Sequence, residues 1–154
     1  MRWNQGRAEV EQMLARSELQ RVPPSREHAD RLLHQATQHL RTAETVAPTD
    51  AEGAYALAYD GARKALAAVL ENEGLRATSR GGHIAVLRAV SAQLDPPLGP
   101  VLRPFDRMRR RRNSLEYPDF ESPDLVVEDV MDDLARARAI VDLATKTIDQ
   151  MSPF

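Results

Sequence analysis

The chain has 154 residues, of which 42% are hydrophobic and 29% charged, and its net charge is −2. These values are typical of one globular domain, so a disordered chain, a membrane-spanning chain and a two-domain enzyme are excluded. The absence of cysteine also excludes a disulfide framework, a thiol nucleophile and a cysteine-ligated metal site.

The first half of the chain is divided by helix breakers into segments of helical length. None of them shows the period-two alternation of a strand, so the sequence predicts an all-α fold. A first helix with a thin apolar stripe is expected from about residue 7 to residue 20, within an amino-terminal extension over residues 1–24. Ser25 is predicted to cap a second helix that runs to about Val46. A capping box at residues 49–52 is predicted to start a third helix, which ends before Gly74.

The second half begins with a loop at residues 80–82. A short amphipathic helix follows, with Ile84, Leu87, Val90 and Leu94 on its inner face. The next helix is expected over about residues 98–115, either beginning near Arg103 or kinked at Pro104. The last helix is expected to have Ser122 as its cap, Pro123 at its first position and Asp124 in its first turn, and to run to about residue 150. Residues 25–150 are therefore predicted to form an antiparallel bundle of four main helices plus a short helix, with the amino-terminal helix added.

An arginine block and an acidic block lie next to each other in the sequence. The basic residues are Arg103, Arg107, Arg109, Arg110, Arg111 and Arg112. The acidic residues that follow are Glu116, Asp119, Glu121, Asp124, Glu128, Asp129, Asp132 and Asp133. The acids could neutralise the arginines within one chain, or the two blocks could meet across a two-fold axis.

Arg112 is the most informative residue of the arginine block. Val101, Phe105, Met108, Arg112 and Leu115 are spaced 4, 3, 4 and 3, so Arg112 occupies an apolar seam position. An unpaired buried charge is costly, so the guanidinium must pair or open toward a cleft. With Asn113 and Tyr117 it would suit a phosphate. The alternative is a structural pair with a buried carboxylate such as Asp60, while Arg103 and Arg110 form a solvated face.

The four histidines give no firm metal-ligand spacing, so neither a metal nor a cofactor is expected. His28, His34 and His39 are interpreted as surface residues. His83 lies at a predicted helix start, where it could reach the groove or cap the helix locally. No phosphate-binding loop, nucleophile elbow or dinucleotide-binding turn is present in the sequence.

Three segments resemble the HEPN superfamily, a group of all-α domains of nucleotide and RNA metabolism. The segments are the small-residue helix at 54–70 leading to residues 73–76, the Gly82-His83-Ile84 helix start, and Arg112-Asn113-Ser114-Leu115-Glu116-Tyr117-Pro118. The last segment is similar to the family's signature, an arginine and a polar residue followed after four to six residues by a histidine. The position of that histidine is Tyr117 here, and a phenol with a pKa of about 10 is a poor general base.

The resemblance implies a homodimer in which two copies of this signature line a cleft that holds RNA or a nucleotide. Arg112, Asn113 and Tyr117 are then the phosphate-binding residues, with Arg109 and His83 beside them, and the two charged blocks meet across the two-fold axis. It further implies a small stand-alone bacterial protein of the cytoplasm, in a toxin–antitoxin or defence system with a separately encoded partner protein and no membrane partner. Two alternatives stay open: a metal-independent ribonuclease that uses Arg112 and Tyr117, and a non-catalytic protein–protein interaction module.

Overall fold

A computed structural model describes residues 3–119 and 124–154, and its helices form the predicted all-α bundle. The helices are α1 (Arg7–Ala15), α2 (Arg26–Val46), α3 (Ala51–Glu73), α4 (Gly82–Leu94), α5 (Gly99–Leu102), α6 (Pro104–Glu116) and α7 (Val127–Thr147). Two short strands, β1 (Leu19–Arg21) and β2 (Leu75–Ala77), accompany them. The four main helices are α2, α3, α6 and α7, so the fold class predicted from the sequence is confirmed.

The ends of α2 and α3 are set by side chains that satisfy free backbone groups. The Ser25 hydroxyl accepts a hydrogen bond from the His28 amide at 3.0 Å, as predicted for the cap of α2. The cap of α3 is Asp50, whose carboxylate accepts from the Gly53 amide at 2.9 Å. The expected capping box does not form, because the Thr49 hydroxyl donates instead to the Val46 carbonyl at 3.1 Å.

Helix α3 is the central helix of the bundle and packs against α2, α4, α6 and α7. Tyr55, Tyr59 and Leu66 on this helix are fully buried. The approach to α2 is close at Gly61, where an added Cβ would lie 2.8 Å from Leu40 Cδ2. Gly74 ends α3 in the left-handed conformation, with φ at 87°. Small residues therefore let neighbouring helices approach the buried tyrosines.

The β1–β2 pair was not expected from the sequence. The strands are antiparallel, with Leu19 opposite Ala77 and Arg21 opposite Leu75. Three residues per strand are too few to show an alternating pattern. The first helix ends at Ala15, so the predicted helical extension to residue 20 is wrong, and the chain enters β1 instead. The proposed boundary at residue 24 stays a prediction.

Helix α4 buries part of the predicted inner face: Val90 and Leu94 are buried as predicted, Leu87 is partly buried and Ile84 is exposed. Its buried residues include Ala85 and Ala89, whereas the side chain of Ile84 is 45% exposed. Both sets of residues have helical spacing, and the small alanines allow α4 to lie closer to its neighbours. The periodic pattern alone did not show that the buried face also includes Ala85 and Ala89.

The last helices begin later than the sequence suggested. Helix α5 ends at Leu102 and α6 starts at Pro104, so the two helices are separated at Arg103. This agrees with the first expectation, a helix that begins near Arg103, and not with a continuous helix kinked at Pro104. Helix α7 begins at Val127, and Asp124 lies before it rather than in its first turn. The predicted cap residues Ser122 and Pro123 lie outside the described residues. Glu128 and Asp129 provide the carboxylates of the first turn instead.

A buried carboxyl group and a buried amide connect α3 with α4. The Gln93 side chain donates to Glu73 Oε1 at 3.1 Å and to the Ala89 carbonyl at 3.1 Å. Glu73 Oε2 is buried and has no hydrogen-bond partner. The Trp3 indole donates to the Gln93 carbonyl at 3.1 Å, which holds the amino-terminal segment against this pair. Throughout residues 3–119 and 124–154, no helix has the length and apolar character needed to cross a membrane.

Candidate phosphate-binding groove

The arginines of α6 are divided between two faces of that helix. On the face toward α7, Arg107 Nη2 lies 2.7 Å from Asp133 Oδ1 and Arg111 Nη2 lies 2.8 Å from Asp129 Oδ2. These carboxylates belong to the acidic block and are paired within one chain. For Asp129 and Asp133 the structure thus shows pairing inside the chain, not the favoured pairing across a two-fold axis.

Asp133 is the centre of a cluster that also contains Tyr55, Arg107 and Arg136, which we call the Asp133 cluster. Its side chain is 2% exposed, accepts from the Tyr55 hydroxyl at 2.7 Å and lies 2.8 Å from Arg136 Nη1. Burial acts to raise the pKa of Asp133, but the hydrogen bonds from Tyr55 and Arg136 and the charge of Arg107 outweigh it and lower the pKa. The carboxylate therefore stays ionised and holds α3, α6 and α7 together.

On the opposite face, α6 and the start of α4 enclose a groove of about 280 Å³. Its lining residues are Gly81, Gly82, His83, Ile84, Arg109, Arg112 and Asn113. We call it the α4–α6 groove. Four of the five residues predicted to bind phosphate, namely Arg109, Arg112, Asn113 and His83, are thus brought together. The fifth, Tyr117, lies at the end of α6 with 78% of its side chain exposed and is not among the lining residues.

The imidazole of His83 is held by a tyrosine of α3. His83 Nδ1 lies 2.6 Å from the Tyr59 hydroxyl. Burial, followed by the charges of Arg63 and Arg112, lowers the pKa of His83, so its imidazole is neutral at pH 7. Burial raises the pKa of Tyr59 to about 12, so the phenol keeps its proton. Since a hydroxyl can donate or accept, Tyr59 supports either tautomer of the ring, leaving His83 Nε2 as a donor or as an acceptor.

Arg112 is partly buried over the same tyrosine. Its Cζ lies 5.9 Å from the centroid of the Tyr59 ring, and its Nη1 lies 2.7 Å from Glu116 Oε2, one turn along α6. The structural alternative of a pair with Asp60 is not seen, because the nearest guanidinium to Asp60 Oδ1 is that of Arg63, at 3.6 Å from its Nε. Exposed ion pairs of this spacing contribute only about 0.3–0.5 kcal/mol. A phosphate can therefore displace Glu116 at little cost.

The remaining arginines of the block have local partners. Arg109 Nη2 lies 3.0 Å from Asp106, and Arg110 Nε lies 3.2 Å from the same carboxylate. Arg103 lies 3.9 Å from Asp95. Arg103 and Arg110 are well exposed, in agreement with the solvated face expected for them.

The other histidines lie away from the α4–α6 groove. His34 is exposed, as predicted, whereas His28 and His39 are half-buried. His28 Nε2 lies 3.9 Å from Glu71, and His39 Nε2 lies 2.7 Å from Lys64 Nζ. Among the described residues, no group of three or more histidines, aspartates or glutamates is placed to hold a metal ion.

Sequence reasoning missed two contributors to the site, the Tyr59 hydroxyl and the Arg63 guanidinium. Tyr59 belongs to the fully buried face of α3. Both residues could have been found from their spacing of four, which places a phenol and a guanidinium on one face of the helix. Their connection with His83 depends on how α4 packs on α3, which no local pattern contains.

Comparisons of the chain with protein-family models, curated proteins and solved structures give no match. The resemblance to HEPN proteins therefore rests on the three short motifs alone.

Proposed function

We propose that the chain is a HEPN-like helical protein that binds RNA through phosphate groups in the α4–α6 groove. The observation that carries this proposal is the convergence of Arg109, Arg112, Asn113 and His83 on one opening. These residues come from two helices and supply guanidinium, amide and imidazole groups. All three groups donate hydrogen bonds to phosphate oxygens.

The chemistry of the groove favours an anion. Arg112 leaves a weak, exposed ion pair to bind a phosphate, and the resulting charge-assisted hydrogen bonds are stronger than neutral ones. His83 adds a donor at Nε2 when Tyr59 donates to Nδ1. Arg107 and Arg111 do not compete for the ligand, because the carboxylates of α7 already hold them.

The test is a titration of fluorescein-labelled single-stranded RNA at 50 and 200 mM salt. We expect binding that weakens with salt, since phosphate contacts release counterions. Arg112→Ala should weaken binding about tenfold and reduce the dependence on salt by about one counterion.

Arg138→Ala is the matched control for this titration. Arg138 lies on α7 and pairs with Glu44 of α2 at 2.6 Å, so this variant also loses an exposed arginine–glutamate ion pair, but outside the groove. RNA affinity should not change in this variant. If no RNA binds at micromolar protein and 50 mM salt, the proposal is wrong and the protein–protein interaction module takes its place.

The proposal includes a homodimer, as the resemblance implies. Large apolar side chains are exposed where α6 ends and α7 begins, notably Tyr117, Val126 and Met131. Burying such side chains in a symmetric interface is favourable. Light scattering during gel filtration should give twice the chain mass, and Met131→Glu should shift the protein toward the monomer. A monomer at all concentrations would contradict this part.

A ribonuclease is a second candidate, favoured by the neutral imidazole of His83 beside Arg112. In this reaction the RNA 2′-oxygen bonds to the adjacent phosphorus, and its proton passes to His83 Nε2 while Nδ1–H donates to Tyr59. The bond from phosphorus to the 5′-oxygen breaks and the 5′-oxygen takes a proton from water, while Arg112 stabilises the charged intermediate. The hydroxide left by that water takes the proton from His83 Nε2, which restores the neutral imidazole.

The ribonuclease is tested by incubating RNA with concentrated protein and EDTA. Cleavage that is lost in His83→Gln but kept in Tyr117→Phe would assign the proton transfer to His83. The opposite result would assign it to Tyr117, which stands at the position of the family's histidine. RNA that stays intact with the wild-type protein excludes the activity.

A further inference from the structure

A second pocket, of about 420 Å³, adjoins the α4–α6 groove. It lies among α2, α3, β2 and the start of α4. Gly82 and His83 line both pockets, so the two meet at the first turn of α4. We call the second pocket the His28 pocket, after the residue of α2 that lines it. Its size is within the range of pockets that enclose small organic groups.

The wall of the His28 pocket combines apolar side chains with polar ones, and its apolar part is extensive. Leu32, Ala67, Leu70, Leu75 and Val86 line it. Such a surface suits a flat organic ring and cannot be satisfied by a phosphate alone. The two neighbouring pockets therefore differ in chemistry: both have arginine side chains in their lining, but only the second adds an extended apolar surface.

Polar groups stand at the edge of the apolar wall. Arg63 lines the pocket with 28% of its side chain exposed, and the Asp60 carboxylate, 3.6 Å from its Nε, is beyond hydrogen-bond reach. The buried Glu71 carboxylate accepts from Arg76 Nε at 2.6 Å and keeps further acceptor capacity. The partly exposed Arg63 guanidinium and the Glu71 carboxylate thus give the pocket a donor and an acceptor beside its apolar surface, as the edge and the faces of a nucleobase require.

We propose that the His28 pocket binds one unstacked base of the RNA whose phosphate lies in the α4–α6 groove. This inference rests on the proposed function, because the groove must hold the phosphate for the base to reach the pocket. His83 lies between the two sites and contacts the ribose. Single-stranded RNA supplies such splayed bases, whereas the bases of a duplex stay paired and stacked.

The experiment compares two labelled RNA hexamers of equal charge: hexaadenylate, and a ribose–phosphate hexamer that carries no bases. Both present the same phosphates to the α4–α6 groove. We expect hexaadenylate to bind at least tenfold more tightly to the wild-type protein. In Arg112→Ala the affinity for both hexamers should fall by the same factor.

Ala67→Leu fills the His28 pocket, because Ala67 is a half-buried residue of α3 that lines it. The matched control is Ala135→Leu, which adds the same side chain at an exposed position of α7. Ala67→Leu should abolish the preference for hexaadenylate and leave the base-free hexamer unaffected. Ala135→Leu should change neither affinity. If Ala67→Leu does not fold, Ser79→Leu narrows the same pocket from its exposed rim without an aromatic ring on which a base could stack, and it should have the same effect.

The outcomes separate this inference from the proposed function. Equal, salt-dependent binding of both hexamers overturns the base pocket and leaves the phosphate groove standing. A preference for hexaadenylate that survives in folded Ala67→Leu also overturns it, because the base then binds elsewhere. If neither hexamer binds, both proposals fail.

Discussion

Tyr55 and Tyr59 lie one turn apart on α3 and face the same arginine helix, but their hydroxyls meet different partners. The Tyr55 hydroxyl donates to the ionised carboxylate of Asp133, which two arginines also bind. The Tyr59 hydroxyl meets the neutral ring of His83. The first network is complete, whereas the second leaves a ring nitrogen and a weakly paired arginine at an opening. Both networks contain arginine, so charge does not distinguish them. The candidate ligand site is the network in which hydrogen-bonding groups are left without a strong partner.

The largest expected difference between the two networks concerns their carboxylates. Asp133→Ala should lower the free energy of unfolding by about 2–4 kcal/mol, because Tyr55, Arg107 and Arg136 all lose a charge-assisted partner. Glu116→Ala removes the partner of Arg112 and should cost less than about 1 kcal/mol, because that pair is exposed. Urea unfolding followed by circular dichroism measures both. Equal losses would show that the two carboxylates play the same role.

The tyrosine hydroxyls should show a smaller difference in the same direction. Tyr55→Phe should cost about 1.5–3 kcal/mol, since a buried carboxylate loses a donor, and Tyr59→Phe about 0.5–1.5 kcal/mol. Both substitutions keep the aromatic ring, so the packing around α3 is unchanged and the difference in unfolding free energy reports the loss of the hydroxyl alone. A larger loss for Tyr59→Phe in urea unfolding would reverse the assignment of a structural and a ligand-facing network.

The smallest effect is on the titration of His83. Its pKa should lie below the ordinary value of about 6.5, and Arg112→Ala should raise it because a nearby positive charge is removed. Because the folded-state pKa is lowered, the stability contributed by His83 is present above pH 6.5 and is lost as the pH falls through the folded pKa. NMR titration of the ring protons measures the pKa. Arg138→Ala should leave it unchanged, and a pKa insensitive to Arg112 would place that guanidinium away from the ring.

Helix positions followed from local sequence signals where a single side chain decides them. Ser25, Gly74 and Pro104 each act on the backbone beside them, so the bounds they set could be predicted. The start of α7 and the burial of Ala85 and Ala89 rather than Ile84 on α4 could not, because each depends on packing against other helices. The β1–β2 pair joins segments that lie far apart in sequence, and strands so short have no pattern of their own.

The candidate site was predicted only in part, because some of its residues are grouped by local spacing and others by packing between helices. Arg109, Arg112 and Asn113 share one helix, so their grouping follows from spacing. The contact of His83 with this helix required a motif from a resembling family, and the roles of Tyr59 and Arg63 required the packing of α3 against α4. Tyr117 belongs to the predicted set, but the end of α6 turns it to solvent at a place where helix periodicity no longer applies.

The buried Glu73 connects folding with the uptake of a proton. Burial raises the pKa of Glu73 from about 4.5 to about 8, and the hydrogen bond from Gln93 offsets only part of that effect. The folded chain therefore holds a proton at neutral pH that the unfolded chain releases. Between about pH 4.5 and pH 8 this residue makes the folded state progressively less favourable as the pH rises. Mild acidity down to about pH 4.5 thus strengthens the junction of α3 and α4, while the neutral ring of His83, which borders both pockets, is favoured by higher pH.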